Sequence, residues 1–577
     1  MGVPIGTKLG PWCLLIAGAC LPLLRVLADP LGSLPGSEAG DVYKHAWAFW
    51  HTPTQLLEGT WPFTSYLAAP DGGVLYDVML LPALLMAPVT WLGNAVLATN
   101  VWVWLSLVAV GATSYLLTLE LVGSRIGAVA AALIVQTSPF LLGHALTSGV
   151  HERLAVWFFP LAILCLLRIV RGGGPGWSVV LVAGLFLTVS QSPTYGVFAT
   201  VLLLIAVPAV IPRPTRFAQR SAVWLLLATC VAAAVVMLAS FFLQSWFVTH
   251  DSFLAGVSVK RANLGVGFNV DSLHVANLSL LLDPWVVRAQ SPVRMDDELY
   301  NLMYLGWVPV LAAIGGLVLA WRRRQRRLLA VVGLGLLFGL LSLGPDLRAG
   351  SWTVPNPFFW SVAWLVPVYG TTEAVWQQIG VLVGLGACAI AVLIAAVPSR
   401  GARTMIAAAL VAASIGERAW VLPIPAPVLA AAPARLSSIY DAAYGEEGLV
   451  EMPRIRTHHM LSRGFIFLAQ TRHHMPIPAA INLGVARWDK YLPIMVGKSP
   501  DWNQSAACLR DGGLRWVVLH QEWFGSAEKA SLAVEGLRAA AGPPVAVEGD
   551  RLLFDLSRVR VLRRPADEVP CPADLTR

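Results

Sequence analysis

A carboxylate and an imidazole stand four residues apart at Asp41 and His45, in the segment Gly40-Asp41-Val42-Tyr43-Lys44-His45-Ala46-Trp47-Ala48-Phe49-Trp50. On a helix that spacing puts both on one face. Trp47, Phe49 and Trp50 supply the interfacial aromatics that hold such a helix flat on a membrane. Two chemistries fit the pair. Asp41 can deprotonate an acceptor hydroxyl as general base, or Asp41 and His45 can hold a divalent cation, Mg or Mn, against a phosphate. Asp41 suits an N-cap equally well, and the local sequence leaves the capping and catalytic readings open.

Further along, His144, His151 and Glu152 form a second polar group on a turn between two apolar runs. Glu152 is a candidate second catalytic acid and His151 a candidate substrate ligand; a solvated turn is the plain alternative. Lys260 and Arg261 lie in a long polar stretch, 245–302, far larger than a tight connection needs. Their charges suit a lipid phosphate or pyrophosphate through charge-assisted hydrogen bonds. His458-His459 and His473-His474 resemble metal ligands on paper, but adjacent histidines point apart and no four-ligand spacing completes a zinc site. The chain carries no Walker loop, no dinucleotide fingerprint and no Gly-x-Ser-x-Gly elbow. No nucleotide cofactor is expected, which agrees with a donor carried on a lipid.

These residues are set among apolar elements. The chain has 577 residues, 56% of them hydrophobic and 13% charged, with a mean hydropathy of +0.66. That is too little charge to cover a soluble globule, and the chain reads as a polytopic membrane protein. The net charge of +8 comes from 41 Lys and Arg against 33 Asp and Glu. Its clusters are short and fall between apolar runs: Arg168 and Arg171; Arg213, Arg216 and Arg220; Arg322 to Arg327; Arg400 and Arg403. This is the positive-inside pattern, not a nucleic-acid footprint.

Twelve candidate spans are expected at 10–28, 78–93, 97–119, 125–142, 153–170, 176–192, 195–212, 222–244, 303–321, 328–344, 377–397 and 404–422. Twelve crossings from an inside N-terminus would put the Arg322–Arg327 block outside. Eleven put every arginine cluster inside, and the short stretch 78–93, with Pro82 and Pro88, is the one expected to be re-entrant or merged. The same parity places the Asp41 segment, the His144–Glu152 turn, the 245–302 stretch and everything after about 423 outside. Lys8 precedes the first apolar run, but Arg25 interrupts it and no small-x-small cleavage site follows, so an uncleaved first helix is expected.

After Leu422 the composition changes. Pro423, Pro425, Pro427 and Pro433 form a linker, and β-like runs at Gly448–Met452, Leu514–His520 and Arg551–Phe554 alternate with helical stretches near 501–511 and 526–541. A small α/β domain is expected there. Five cysteines, Cys13, Cys20, Cys165, Cys230 and Cys388, fall in apolar runs; Cys508 and Cys571 fall in this last region and can pair if it is extracytoplasmic.

The order of a first helix, Gly40-Asp41 with His45 and Trp47, Pro70-Asp71-Gly72, and Trp157 to Leu161 opening a helix that ends in Arg168 resembles the GT-C superfamily of polytopic glycosyltransferases, in particular bacterial YfhO-like and related membrane proteins. Val450-Glu451-Met452-Pro453, Gln470 to Ile477 and Gly513 to His520 are similar to segments that follow the membrane domain in such proteins. The resemblance implies an α-helical polytopic membrane domain over 1–422, of about eleven to twelve transmembrane helices, followed by a small soluble extracytoplasmic α/β domain over 423–577. It also implies transfer of a sugar from a polyprenyl-phosphate donor to a glycan, lipid or protein acceptor at the bacterial inner membrane, with Asp41 as the catalytic acid of the first outer loop. One departure stands out. Where related sequences place arginines before the late helix, this chain reads Val368-Tyr369-Gly370-Thr371-Thr372-Glu373-Ala374-Val375-Trp376-Gln377-Gln378; if those arginines recognise phosphate, this chain either uses something else or has lost activity. The alternative to an enzyme is a non-catalytic membrane protein, a carrier of lipid-linked glycans or an envelope assembly partner.

Overall fold

The computed structural model describes residues 6–36, 41–60, 63–64, 66, 73–74, 79–172, 174–210, 282, 285, 304–349, 352–365, 375–422, 426–430, 437–445, 447–453, 461–477, 502–524 and 526–559. The expected span 222–244, Lys260, Arg261, Gly40, Pro70 to Gly72, Thr372, Glu373, His458, His459 and Cys571 lie outside these residues.

The first part is helical: α1 (Gly6–Cys20), α2 (Leu24–Ala28), α3 (Val42–Glu58), α4 (Leu80–Leu92), α5 (Ala95–Val122), α6 (Arg125–Gln136), α7 (Pro139–Leu142), α8 (Phe158–Val170), α9 (Pro175–Gln191) and α10 (Pro193–Val210). After the described residues resume, α11 (Trp307–Arg322), α12 (Arg326–Leu341), α13 (Pro357–Leu365), α14 (Ile379–Ala395) and α15 (Arg400–Val421) complete it. Among the described residues six helical stretches are long and apolar enough to cross a membrane: Leu9–Ala28, Ala95–Val122, Arg125–Thr147, His151–Val170, Trp376–Ala395 and Arg400–Val421. Leu80–Leu92, Pro175–Gln191, Pro193–Val207 and Trp307–Arg322 are shorter apolar helices. At 13 residues, α4 is about 20 Å long, short of a hydrocarbon core of about 30 Å.

Local sequence sets the ends of the long helices. The Asn94 side chain accepts from the Leu97 N–H at the start of α5, which stops at Gly123 in the left-handed region (φ +73°). Ser124 and Ser399 cap α6 and α15 in the same manner, accepting from Gly127 N–H and Ala402 N–H. In the middle of the bundle α14 packs on α5, α6, α11 and α12. Close approach there needs a small residue: a Cβ on Gly127 would sit 2.9 Å from the Ala391 carbonyl oxygen. Near the turn between α5 and α6, Arg168 and Arg171 both pair with Glu120, tying the ends of α5 and α8 together.

The C-terminal part is a four-stranded sheet in the order β7-β8-β10-β9, where β7 is Gly448–Met452, β8 Leu514–His520, β9 Ala546–Glu548 and β10 Arg551–Asp555. β7 runs parallel to β8 and the other pairs are antiparallel, with Leu449 opposite Trp516 and Phe554 opposite Val517. β7, β8, β10 and the helices Trp502–Asp511 and Ala527–Ala541 fall where the sequence pattern puts them, whereas β9 was not among the expected strands. Alternation along β8 splits its side chains between two cores. Val517 and Leu519 face the two helices just named, while Trp516 and Val518 face a third helix, Leu461–His473, with Ala469 and Met475. Cys508 is disulfide-bonded.

That third helix, called α16 here, links the two parts. Its Ile466 and Phe467 share a core with Trp47 and Phe49 of α3, and the Trp47 indole N–H donates to Gln470 Oε1 at 2.7 Å. A second link is the antiparallel pair of β1 (Ser33–Pro35) with β6 (Val428–Ala430).

Candidate active site

α3 carries the first candidate residues, and its sequence contains a breaker, Pro53. Proline has no N–H for the carbonyl four residues back, Phe49 O. Thr90 Oγ1 of α4 donates to that carbonyl instead, at 3.1 Å, so the helix continues to Gly59, which turns it off in the left-handed region (φ +68°) with its N–H on Gln55 O and Leu56 O. The segment is not a helix lying flat with one face in water. Val42, Tyr43, His45, Ala46, Trp47, Ala48, Phe49, His51 and Thr52 are all buried, because α4, α5 and α16 cover α3 from several sides.

Asp41 occupies the N-cap position of α3 but makes no side-chain capping hydrogen bond. Its carboxylate is 43% exposed and lies 3.8 Å from Lys44 Nζ. The carboxylate thus lies toward Lys44 and makes no side-chain hydrogen bond to the first turn of the helix. One turn on, the His45 N–H donates to the Asp41 carbonyl at 3.0 Å, while the His45 ring is fully buried with no hydrogen-bond partner at either nitrogen. Burial, and then the neighbouring His151, hold His45 well below the usual imidazole range, against the opposing pull of Asp41. It is therefore a neutral imidazole at pH 7.

The second polar group is brought to the first by two glycines. Gly36 follows β1, and Gly149 (φ +71°) makes the reversal between the stretches Arg125–Thr147 and His151–Val170. A Cβ at Gly36 would lie 2.8 Å from Gly149 Cα, and a Cβ at Gly149 would run into the Val42 side chain. Only glycine at both positions lets the reversal nest against the start of α3. His151 Nε2 then donates to the Pro35 carbonyl at 2.8 Å, with its ring centroid 5.4 Å from that of His45. A carbonyl only accepts, so the bond leaves the lone pair on Nδ1, which has no partner. Glu152 lies close enough to Asp41, Lys44 and Arg153 to interact with each electrostatically. The turn thus lies within electrostatic reach of Asp41. It is not a solvated surface turn: His144 and His151 are wholly buried, in π-helical (Gly143–Thr147) and 3-10 (His151–Trp157) turns of the helical stretches.

Sequence reasoning missed Arg153, which reads as the start of an apolar run. It is 4% exposed; its Nη1 donates to His144 Nδ1 at 3.0 Å, and its guanidinium lies over the Trp376 ring, 4.7 Å from the centroid. Trp376 sits in the 3-10 turn Val375–Gln378 that opens into α14, the end of the late stretch that lacks the expected arginines. The available signal was an ionisable residue at the edge of an apolar span. Tyr195, fully buried near Arg153 and Glu152, completes the group.

Asp41 and His45 were expected to share a divalent cation. Among the described residues no group of three or more His, Cys, Asp or Glu side chains is close enough to hold one, so the residues do not form a preassembled metal centre. His473 accepts from the Met475 N–H while His474 stacks on Trp50 at 5.2 Å, so this adjacent pair serves two different places.

No family model matches the sequence, and no curated protein does. Solved structures do. The arabinofuranosyltransferase AftD from mycobacteria is similar over 94% of this chain and 41% of its own, with a TM-score of 0.51 at 16% identity. The chain has the GT-C fold. The oligosaccharyltransferase of Archaeoglobus fulgidus, in a complex with Zn and sulfate, matches over 88% of this chain and 68% of its own at TM-score 0.47 and 13% identity. ArnT from Cupriavidus metallidurans, bound to undecaprenyl phosphate, matches over 95% and 98% at TM-score 0.44 and 14% identity. The GT-C assignment concerns architecture, and this chain spans less than half of AftD.

Proposed function

We propose that the protein is a membrane glycosyltransferase that moves a sugar from a lipid-phosphate carrier to an acceptor hydroxyl, with Asp41 as general base. One observation carries the reading: in a GT-C fold, the Asp41 carboxylate stands uncommitted to helix capping within a cluster that also holds Glu152 and the buried cation Arg153. The acceptor oxygen attacks the anomeric carbon from the side opposite the phosphate, Asp41 takes the hydroxyl proton, and the bond from carbon to phosphate oxygen breaks with both electrons leaving on the phosphate. The configuration inverts. Arg153 supplies the positive charge for the departing phosphate, in place of the late-loop arginines this chain lacks. Lys260 and Arg261, in the long stretch 245–302, are further candidates for the same role. His45 and His151, neutral or hydrogen-bonded inside, position the acidic pair.

In the same reading the Asp41 face is the extracytoplasmic face of the bacterial inner membrane, and the C-terminal sheet lies outside with it, helping to hold the acceptor. A disulfide at Cys508 accords with an oxidising compartment. The deciding test is Asp41→Asn in the full-length chain. The change keeps size but removes the base, so lipid-linked sugar should accumulate and transfer fall by about 10²- to 10⁴-fold with the protein level unchanged. Undiminished transfer by the Asn variant would return Asp41 to a structural role and favour a carrier.

A further inference from the structure

The molecule holds a second buried cation whose position suggests a different ligand. Arg418 lies three residues before the end of α15, a helix long and apolar enough to cross a membrane. It is 0% exposed, and among the described residues none of its three guanidinium nitrogens has a hydrogen-bond partner. The adjacent acid does not serve it. Glu417 accepts from Tyr304 Oη and from the Trp307 and Val308 N–H groups, closing the N-terminus of α11. One turn before Arg418 on the same buried face is Ser414, whose hydroxyl also has no partner among the described residues.

A guanidinium is always charged and presents five donors. Enclosed among helices without an anion, it is among the least favourable groups a fold can bury. α15 packs on α6, α11 and α14, and its buried face is formed by Ala407, Ser414, Arg418 and Val421, so both polar residues point into the bundle. Their depth is set by the helix itself. Eighteen residues separate Arg400 from Arg418, about 27 Å along the axis, which carries Arg418 across most of a hydrocarbon core of about 30 Å. Trp420, two residues on, is exposed and meets Trp285 edge-on at 4.7 Å, an aromatic pair of the kind that marks headgroup depth. The anion abundant at that depth is a lipid phosphate.

We propose that Arg418 and Ser414 form a binding site for an anionic, phosphate-bearing lipid headgroup at the end of α15 remote from Arg400. The guanidinium fork takes two phosphate oxygens, and the Ser414 hydroxyl donates to one of them. The site is separate from the Asp41 cluster, whose own cation is bonded to His144 and stacked on Trp376. It does not depend on the transfer reading.

The test uses the full-length chain, delipidated in detergent and titrated with phosphatidylglycerol, a short polyprenyl phosphate or inorganic phosphate, with bound species counted by native mass spectrometry. Wild type should retain one anionic lipid, and Arg418→Gln should weaken it at least about tenfold, the loss expected for a charge-assisted pair. Arg418→Lys should fall between, and Asp41→Asn should leave the phosphatidylglycerol affinity unchanged. Tighter binding of the polyprenyl phosphate would assign the site to the carrier, and equal binding to bulk lipid; either supports the proposal. Equal lipid affinity in wild type and Arg418→Gln, or binding of inorganic phosphate alone, would overturn it. Should Arg418→Gln not fold, Ser414→Ala takes its place: an affinity about threefold weaker supports the site, and an unchanged one rejects it.

Discussion

The guanidinium of Arg153 lies 4.7 Å from the centre of the Trp376 ring, so a cation at the start of one apolar helix is held by the residue that opens another. A sequence separation of more than two hundred residues is closed at this contact.

Arg153→Lys keeps the charge but loses the planar fork that spans His144 and the Trp376 face. Under the transfer reading, kcat/KM should drop at least about tenfold, with most of the change in KM for the lipid donor. Steady-state kinetics with varied donor reads this out. A loss confined to kcat would place Arg153 away from donor binding.

Gly149→Ala should destabilise the fold by about 1–3 kcal/mol, since the residue is held at φ +71° and a Cβ meets Val42. Adding Val42→Ala should recover part of the loss, the steric part, while the backbone strain remains. Thermal unfolding of the three variants in detergent gives the comparison.

His51 stacks on Trp47 at 4.1 Å, and burial pulls its pKa down to about 3. In the unfolded chain it titrates near 6.5. Between about 3 and 6.5 the unfolded chain therefore binds a proton that the folded chain does not, so this contribution to stability is complete above pH 6.5 and is lost as the pH falls. At pH 5 the loss is about 2 kcal/mol from this group. His51→Phe preserves the stack and should flatten the fall in denaturation midpoint between pH 7 and pH 5; a variant as acid-sensitive as wild type would exclude His51 as the cause.

Gln470→Leu removes the acceptor of the Trp47 indole N–H and the donor to the Tyr66 and Met475 carbonyls. Buried groups left unpaired cost about 1–3 kcal/mol. Because the lost bonds join α16 to α3, proteolysis between the two parts should become faster, and the cleavage pattern can be followed on gels.

Much of this was legible in the sequence. Asp41 stood out because acids are scarce among apolar runs, and the strands of the C-terminal sheet announced themselves by valine-rich alternation at Leu514–His520. The conformation of α3 was harder to read. Its pattern suggests one wet face, yet the cover arrives from Phe467 and Gln470, at a distance along the chain that no local periodicity reports. Arg153 was hidden for the opposite reason. A single charge at the edge of an apolar stretch reads as a span boundary, and its pairing with Trp376 exists only in three dimensions. The nesting of Gly36 on Gly149 was equally silent, since neither glycine belongs to a turn motif that names its partner.

The bond from Trp47 to Gln470 also imposes an order of events. The helix that carries Asp41 and His45 is synthesised in the first tenth of the chain, but the residue that accepts its buried indole N–H arrives 423 positions later. Until the polypeptide has been made past Gln470, α3 waits with one flank uncovered. Assembly of the site is thus coupled to completion of the chain, and a ribosome that stops after α15 leaves behind a bundle whose candidate catalytic helix is unfinished.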